Sequence, residues 1–383
     1  MKNVRYLILF TSLLACGGLA RAAEVAPAAP PRMEIVPTIQ KPKGAHALTE
    51  KEMTGYLMVY FKDQTHSAYL AISRDGYTFT DINSGKPVFN GADIAEQKGV
   101  RDPHIARGPD GAFYLSMTDL HVNGQRAGFR TTQWERPEPQ YGWGNNRALV
   151  MMKSYDLVHW TLSDFRVDKA FPELAEVGCI WAPETIYDED RGKMMIYFTM
   201  KIGRGVDNLY YAYTDDAFTK MDTKPELFFN FPVPEGPMTE TVRNSLHVID
   251  GDITKVGDKF HLFYSSKENG TPGIEHSVSD KINAGYPVVQ KRVDPETRAC
   301  EAPNLFKRLG TDAYVLMYDA YGSGNMGFAE TTDFVTYKNI GLFNAGAMKG
   351  TNFNGPKHGA VTHMTLDELK AIKSHWSVDF KLD

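Results

Sequence analysis

The stretch GVRDPHIARGPDGAFYL, residues 99–115, passes from a charged segment through a Pro-Asp-Gly turn into an aromatic strand. Read alone, Asp102 before Pro103 is a turn former and Pro-Asp-Gly a hairpin. Its neighbours change that reading. Short, aromatic, β-prone runs recur as GYLMVYF (55–61), AFYLSMT (112–118), MMIYFTM (194–200), FHLFYSS (260–266) and AYVLMYD (313–319). After each comes another strand that ends in a Ser/Thr-x-Asp-like turn: AYLAISRD (68–75), ALVMMKSYD (148–156), LYYAYTDD (209–216), GIEHSVSD (273–280) and MGFAETTD (326–333). Four of the runs also follow a hydrophobic segment and a turn, in DPHIARGPDG (102–111), APETIYDEDRG (182–192), DGDITKVGD (250–258) and EAPNLFKRLG (301–310). The repeated unit is a four-stranded meander, and the copy at 55–82 lacks its first strand.

The chain continues past the last unit into GPKHGAVTHMT (355–365), which can supply the missing strand. Radial repetition closed in this way leaves no open sheet edge, and stacked repeats of this kind share one core. The sequence therefore predicts an all-β, five-bladed β-propeller over residues 46–383, its ring closed by the C-terminal strand pairing with the first blade. LDELKAIKSHW (366–376) reads as a short amphipathic packing helix carrying Leu369, Ile372 and Trp376 on one side. The Asp-x-x-x-aromatic turns read as structural, since they recur in blade after blade whereas a propeller has one axis.

At 383 residues, with 42% hydrophobic and 12% aromatic content, the chain can bury a large core. A formal charge of -5 with dispersed Lys and Arg offers no nucleic-acid footprint. At the N-terminus, Lys2 and Arg5 precede the apolar run 6–15, and Ala20-Arg21-Ala22 forms a cleavage site. Residues 1–22 thus read as a signal peptide and the Pro/Ala-rich 23–45 as a linker, with a periplasmic or extracellular destination. Leu13-Leu14-Ala15-Cys16 offers a competing reading, a lipobox with Cys16 as lipid anchor. No later segment approaches the roughly 20 apolar residues of a membrane helix. Cys179 and Cys300 are too few for a disulfide framework, and whether they pair stays open, as does oligomeric state.

Superposing the units on their aromatic strands aligns Asp102, Asp250 and Glu301 at the starts of the innermost strands, which converge on the axis. Glycosidic cleavage needs one protonated carboxyl to assist the leaving oxygen and one ionised carboxylate to activate water. A third acid can raise the pKa of the first by like-charge repulsion. Asp252, two residues beyond Asp250 and so on the same face of a regular strand, is the alternate to it. Glu184 reads as a hydrogen-bonding or structural group. Trp181 divides between a sugar-stacking platform and a core aromatic, and His104 between a pocket wall and a satisfied strand histidine. His358 begins the ring-closing strand and points to the axis.

Taken together, VRDPHI, IWAPETIY, VIDGDITK and CEAPNLFKR, in this order, resemble the motif series of glycoside hydrolase family 43, inverting enzymes on a five-bladed propeller. The resemblance implies Asp102 as general base, Asp250 as pKa modulator and Glu301 as general acid. It departs at the modulator, where Asp250-Gly251-Asp252 replaces the commoner Ile-Asp-Pro. From their places on the strands His104, Trp181 and Asp252 are expected to bind substrate, and the resemblance adds His358, a carbohydrate substrate and no required cofactor. A structural calcium approached by His358 through water stays open, because calcium prefers oxygen ligands. The activity implied first is α-L-arabinofuranosidase, with β-xylosidase or exo-galactosidase as alternatives. A fructosidase-type enzyme would need an Asn-Asp-Pro nucleophile near the domain start, which is absent. A catalytically idle sugar-binding propeller would be marked by a lost acid, and none is lost. The Trp-, Tyr- and Gly-rich insertion 119–147 is expected to shape the choice of sugar.

Overall fold

In the computed structural model the described residues are 32–268 and 270–382, so the signal-peptide and lipobox readings lie outside them. Strands form five sheets, each a blade. The first runs, from the inside outward, Lys357–Thr365, Met53–Lys62, Ser67–Ser73 and Thr78–Asp81, with Lys349–Gly350 along its outer edge. The second begins on Val100–Arg107, the third on Val177–Asp188, the fourth on Val248–Val256 and the fifth on Glu301–Lys307. Each of these innermost strands touches the next around the ring. The C-terminal strand pairs antiparallel with Met53–Lys62, for example Met58 with Val361, so the predicted closure is what the chain adopts. Gly359 permits it: a Cβ there would stand 2.1 Å from the Val59 carbonyl oxygen.

The strands lack polar alternation because both of their faces are buried between blades. In Met53–Lys62, Leu57 and Val59 face the second blade, joining Val100, Leu115 and Trp160, while Tyr60 faces the fifth with Phe306 and Val315. Equivalent clusters fill the other three blade interfaces. The C-terminal helix, Leu366–Trp376, opens on a capping box between Thr365 and Glu368 and buries Leu369, Ile372 and Trp376 against the first of these clusters. Within the segment expected to be linker, Glu34–Ile35 adds a short parallel strand to the outer edge of the second blade, beside His159 and Trp160. Cys179 and Cys300 are free and buried.

The repeated aspartate turns serve the fold, as expected. Asp75, Asp156 and Asp333 each accept two backbone N–H bonds within the next three residues, and Asp215 does so from Thr219 and Lys220. These are Asx-type links that fix the blade corners.

Candidate active site

The site is built by a bulge repeated five times. Near its start each innermost strand slips register against its neighbour, between Arg101 and His104, Trp181 and Glu184, Ile249 and Asp252, Glu301 and Asn304, and Lys357 and Ala360. Inside each slip one non-glycine residue holds a left-handed backbone: Asp102 (φ 50°), Ala182 (45°), Asp250 (54°), Ala302 (57°) and His358 (29°). Such a conformation costs an L-residue roughly 1–2 kcal/mol, so the strands are held in it by their surroundings. Part of the hold is visible. Thr118 Oγ1 accepts the Ala182 N–H at 2.8 Å, and Thr199 Oγ1 accepts that of Asp250 at 2.9 Å, each from the preceding blade.

This geometry corrects the sequence alignment at one acid. Asp102 and Asp250 share the left-handed position, but its occupant in the fifth blade is Ala302. Glu301 sits one residue earlier, opposite Asp319 as Arg101 is opposite Thr118. A longer side chain from the earlier position nevertheless reaches the same cavity. That cavity, of about 100 Å³, is lined by Asp102, Asp250, Glu301 and His358 together with Arg101, Trp143 and Trp181, among others.

A second correction concerns His104 and Asp252, expected to contact substrate. Neither lines this cavity. The extra residue of the bulge breaks the two-residue alternation, so 102 and 104, like 250 and 252, no longer share a face. His104, Glu184, Asp252 and Asn304 instead form a buried polar layer one step along the axis. There Asp252 accepts from Asn304 Nδ2 and Leu305 N, both at 3.0 Å, and Glu184 accepts from Tyr197 Oη at 2.8 Å. Potential ligand atoms of His104, Glu184 and Asp252 lie within 4.8 Å of one another. Burial pushes both carboxyls well above the usual carboxylate range, and the two hydrogen-bond each other, so a shared proton accounts for their proximity. Burial also drives His104 down to about 3, leaving it neutral.

Charge is distributed unevenly around the cavity. Burial pushes Asp102 up, but the His358 charge, hydrogen bonds from His358 and Thr118, and the nearby Arg101 outweigh it and hold the carboxylate at about 2. The contacts are 3.2 Å from His358 Nδ1 to Oδ1 and 2.9 Å from Thr118 Oγ1 to Oδ2. His358 is its reciprocal: burial disfavours its charge, yet Asp102, Asp250 and Glu301 lift it to about 9. Asp250 and Glu301 titrate together. Burial raises both, and for Glu301 the charges of Asp250 and Asp319 add to it, bringing it to about 8. Near neutrality Asp102 is therefore ionised while Glu301 holds its proton.

The sequence left three elements of the site unnamed. Arg101 lines the cavity and is tied to Asp63, which also binds Lys357; its place beside Asp102 was the available signal. Thr118, in the second strand, gave none. Trp143 comes from the flagged insertion, packs edge-on to Trp181 at 6.0 Å and stays 53% exposed, while Trp181 Nε1 donates to the Gly144 carbonyl.

A curated α-L-arabinofuranosidase of Bifidobacterium longum is 23% identical over 84% of this chain, and the chain spans only 34% of that protein. Among solved structures, an exo-1,5-α-L-arabinanase from a bovine ruminal metagenomic library is 13% identical, with 74% of this chain and 92% of that one aligned at a TM-score of 0.49. The Cellvibrio cellulosa α-L-arabinanase complexed with arabinohexaose is also 13% identical, over 74% and 90%, at 0.48. Residues 51–370 match the family described as "Probable glycosyl hydrolase domain", a relative of glycoside hydrolase family 43. With most of its length inside that match, the chain belongs to this family.

Proposed function

We propose that the protein is an exported inverting glycosidase that removes terminal sugars, α-L-arabinofuranosyl units first, from plant-type polysaccharides or their oligosaccharides. One observation carries this reading: three carboxyl groups from three blades meet at one cavity, where Asp102 is held ionised and Glu301 protonated near neutrality. In this mechanism a water between Asp102 and the anomeric carbon gives its proton to Asp102 as it attacks. Glu301 passes its proton to the departing glycosidic oxygen, and inversion follows from attack opposite the leaving group. Asp250 keeps Glu301 protonated by adding its charge to the cost of ionising a buried carboxyl. His358 keeps Asp102 ionised, and Trp181 and Trp143 offer ring faces to the sugar.

This chemistry asks for no cofactor. A structural calcium would need six to eight oxygen ligands, largely water, beside His358. Export rests on the N-terminal 22 residues and is tested by finding the mature N-terminus after Ala22 or a lipid on Cys16.

A panel of chromogenic aryl glycosides tests the reaction with wild type, Asp102→Asn and Glu301→Gln. Cleavage of the α-L-arabinofuranoside, lost in both variants with poor leaving groups, is the expected result. Turnover of the β-xyloside or a galactoside alone would move the assignment within the family. Oligosaccharide binding with no cleavage at all would make the protein a binding module. Full activity of Glu301→Gln on a poor leaving group would remove Glu301 as the acid.

A further inference from the structure

Beside the catalytic cavity lies a second one, of about 290 Å³, that shares Trp143, Trp181, Ile249 and Glu301 with it. Neither Asp102 nor His358 reaches its wall. It therefore opens on the side of Glu301, which in the reading above is the side of the leaving group. The remaining wall is unlike a neutral sugar subsite, because it carries Lys201, Arg243 and Lys267 against a single further carboxylate, Asp207.

That carboxylate is already occupied. Its Oδ1 lies 3.3 Å from Lys201 Nζ and its Oδ2 3.0 Å from His247 Nδ1. Lys201 is buried and rests 4.7 Å over the Trp181 ring, so its place is fixed. Among the described residues, neither Arg243 nor Lys267 has a carboxylate within ion-pair distance. The Arg243 guanidinium donates to the Arg204 carbonyl, which leaves further N–H groups of its fork open. Glu301 adds no negative charge near neutrality, since burial beside Asp250 keeps it protonated. Two half-buried cations without a counter-ion, next to ring faces and at the mouth of a sugar-cleaving site, make a recognition surface for an anionic sugar.

We propose that this cavity is the leaving-group subsite and that it takes a uronic acid residue, whose carboxylate is received by Arg243 and Lys267. The planar fork of Arg243 matches a carboxylate, and Trp143 with Trp181 supplies the face for the pyranose ring. The assignment of the cavity to the leaving group rests on the hydrolase reading, while its preference for an anion rests on the cavity alone.

The test is binding of the methyl glycoside of galacturonic acid to the full chain by calorimetry, against its methyl ester and methyl galactoside 6-sulfate. The acid is expected to bind at least about tenfold more tightly than the ester, as loss of a charge-assisted hydrogen bond implies. Arg243→Met and Lys267→Met should each reduce that ratio, and Arg243→Lys, which keeps the charge but not the fork, should restore only part of what Arg243→Met loses. Raising salt should weaken the acid and leave the ester. Equal binding of acid and ester, in a protein that cleaves aryl glycosides, overturns the subsite and leaves the hydrolase standing. Selective uronate binding without any cleavage keeps the anion site and removes the hydrolase. Tighter binding of the 6-sulfate than of the uronate overturns the carboxylate assignment.

Discussion

Two layers of buried acids stand on the axis of this propeller. The layer at the bulges holds Asp102, Asp250, Glu301 and His358 and faces an open cavity. The layer below holds His104, Glu184 and Asp252, is buried more deeply, and has its carboxyls pushed up as Asp250 and Glu301 are. Burial and a perturbed pKa therefore do not separate catalytic from structural carboxyls here. What separates them is partnership and access: the lower acids are satisfied by Tyr197, Asn304, the Leu305 N–H and each other, while the upper ones surround space for a ligand.

Breaking the upper layer should cost activity most. Asp102→Asn or Glu301→Gln is expected to lower kcat by about 10²–10⁴-fold on substrates with poor leaving groups, the usual worth of a general acid or base. Thermal unfolding should move little in Glu301→Gln, whereas Asp102→Asn also leaves the buried His358 charge without its partner and should lower Tm as well as rate. A marked fall in Tm of Glu301→Gln with kcat unchanged in the folded molecules would place Glu301 with the structural layer.

The lower layer should respond the other way round. Asp252→Ala leaves Asn304 Nδ2 and the Leu305 N–H without a buried acceptor, an expected loss of about 2–3 kcal/mol in denaturant unfolding. The molecules that remain folded should keep their kcat. The same acid has a pH signature. Burial raises Asp252 to about 7 from the ordinary aspartate value of 3.8. Between those values the folded chain holds a proton that the unfolded chain releases. Stability from this group is thus complete below pH 4 and is lost as pH rises toward 7, with a slope of at most about 1.4 kcal/mol per unit for one proton. Asp252→Asn should flatten the slope, and an unchanged slope would mean that Asp252 is ionised in the fold.

The rate should show a different limb. With Asp102 held at about 2 and Glu301 raised to about 8, kcat/KM is expected to stay level through the acidic range and fall as Glu301 ionises. A profile falling already near pH 5 would contradict the raised acid.

How much of this was legible follows from which contacts are local. The propeller could be read because each blade repeats its own aromatic strand and turn chemistry, and because Lys357–Thr365 was visibly a strand without a sheet. The three acids could be read because Asp102, Asp250 and Glu301 fall at the same place in a repeat. Their exact register could not. A bulge with a left-handed non-glycine residue leaves only a faint trace, the Pro or Gly that follows at 103, 183, 251, 303 and 359. Without the bulge, alternation put His104 and Asp252 in the pocket, and with it they turn away. The cations of the second cavity come from segments far apart in sequence, at 201, 243 and 267, and nothing local joins them.

The smallest effect should come from the group that joins the two axes of order in the site, the position of the acid and the shape of the bulge. Thr118 Oγ1 donates to Asp102 Oδ2 and accepts the Ala182 N–H, so one hydroxyl orients the base and secures the bulge of the next blade. Thr118→Val keeps the shape and β-propensity of the side chain but removes both bonds. Each is worth about 1 kcal/mol, so kcat should fall by roughly tenfold and stability by about 1–2 kcal/mol. Thr118→Ser, which restores the hydroxyl, should recover most of the rate. Because the lost bond had lowered the Asp102 pKa, the acid limb of kcat/KM should also shift upward in Thr118→Val. A purely structural threonine would lower stability without moving that limb.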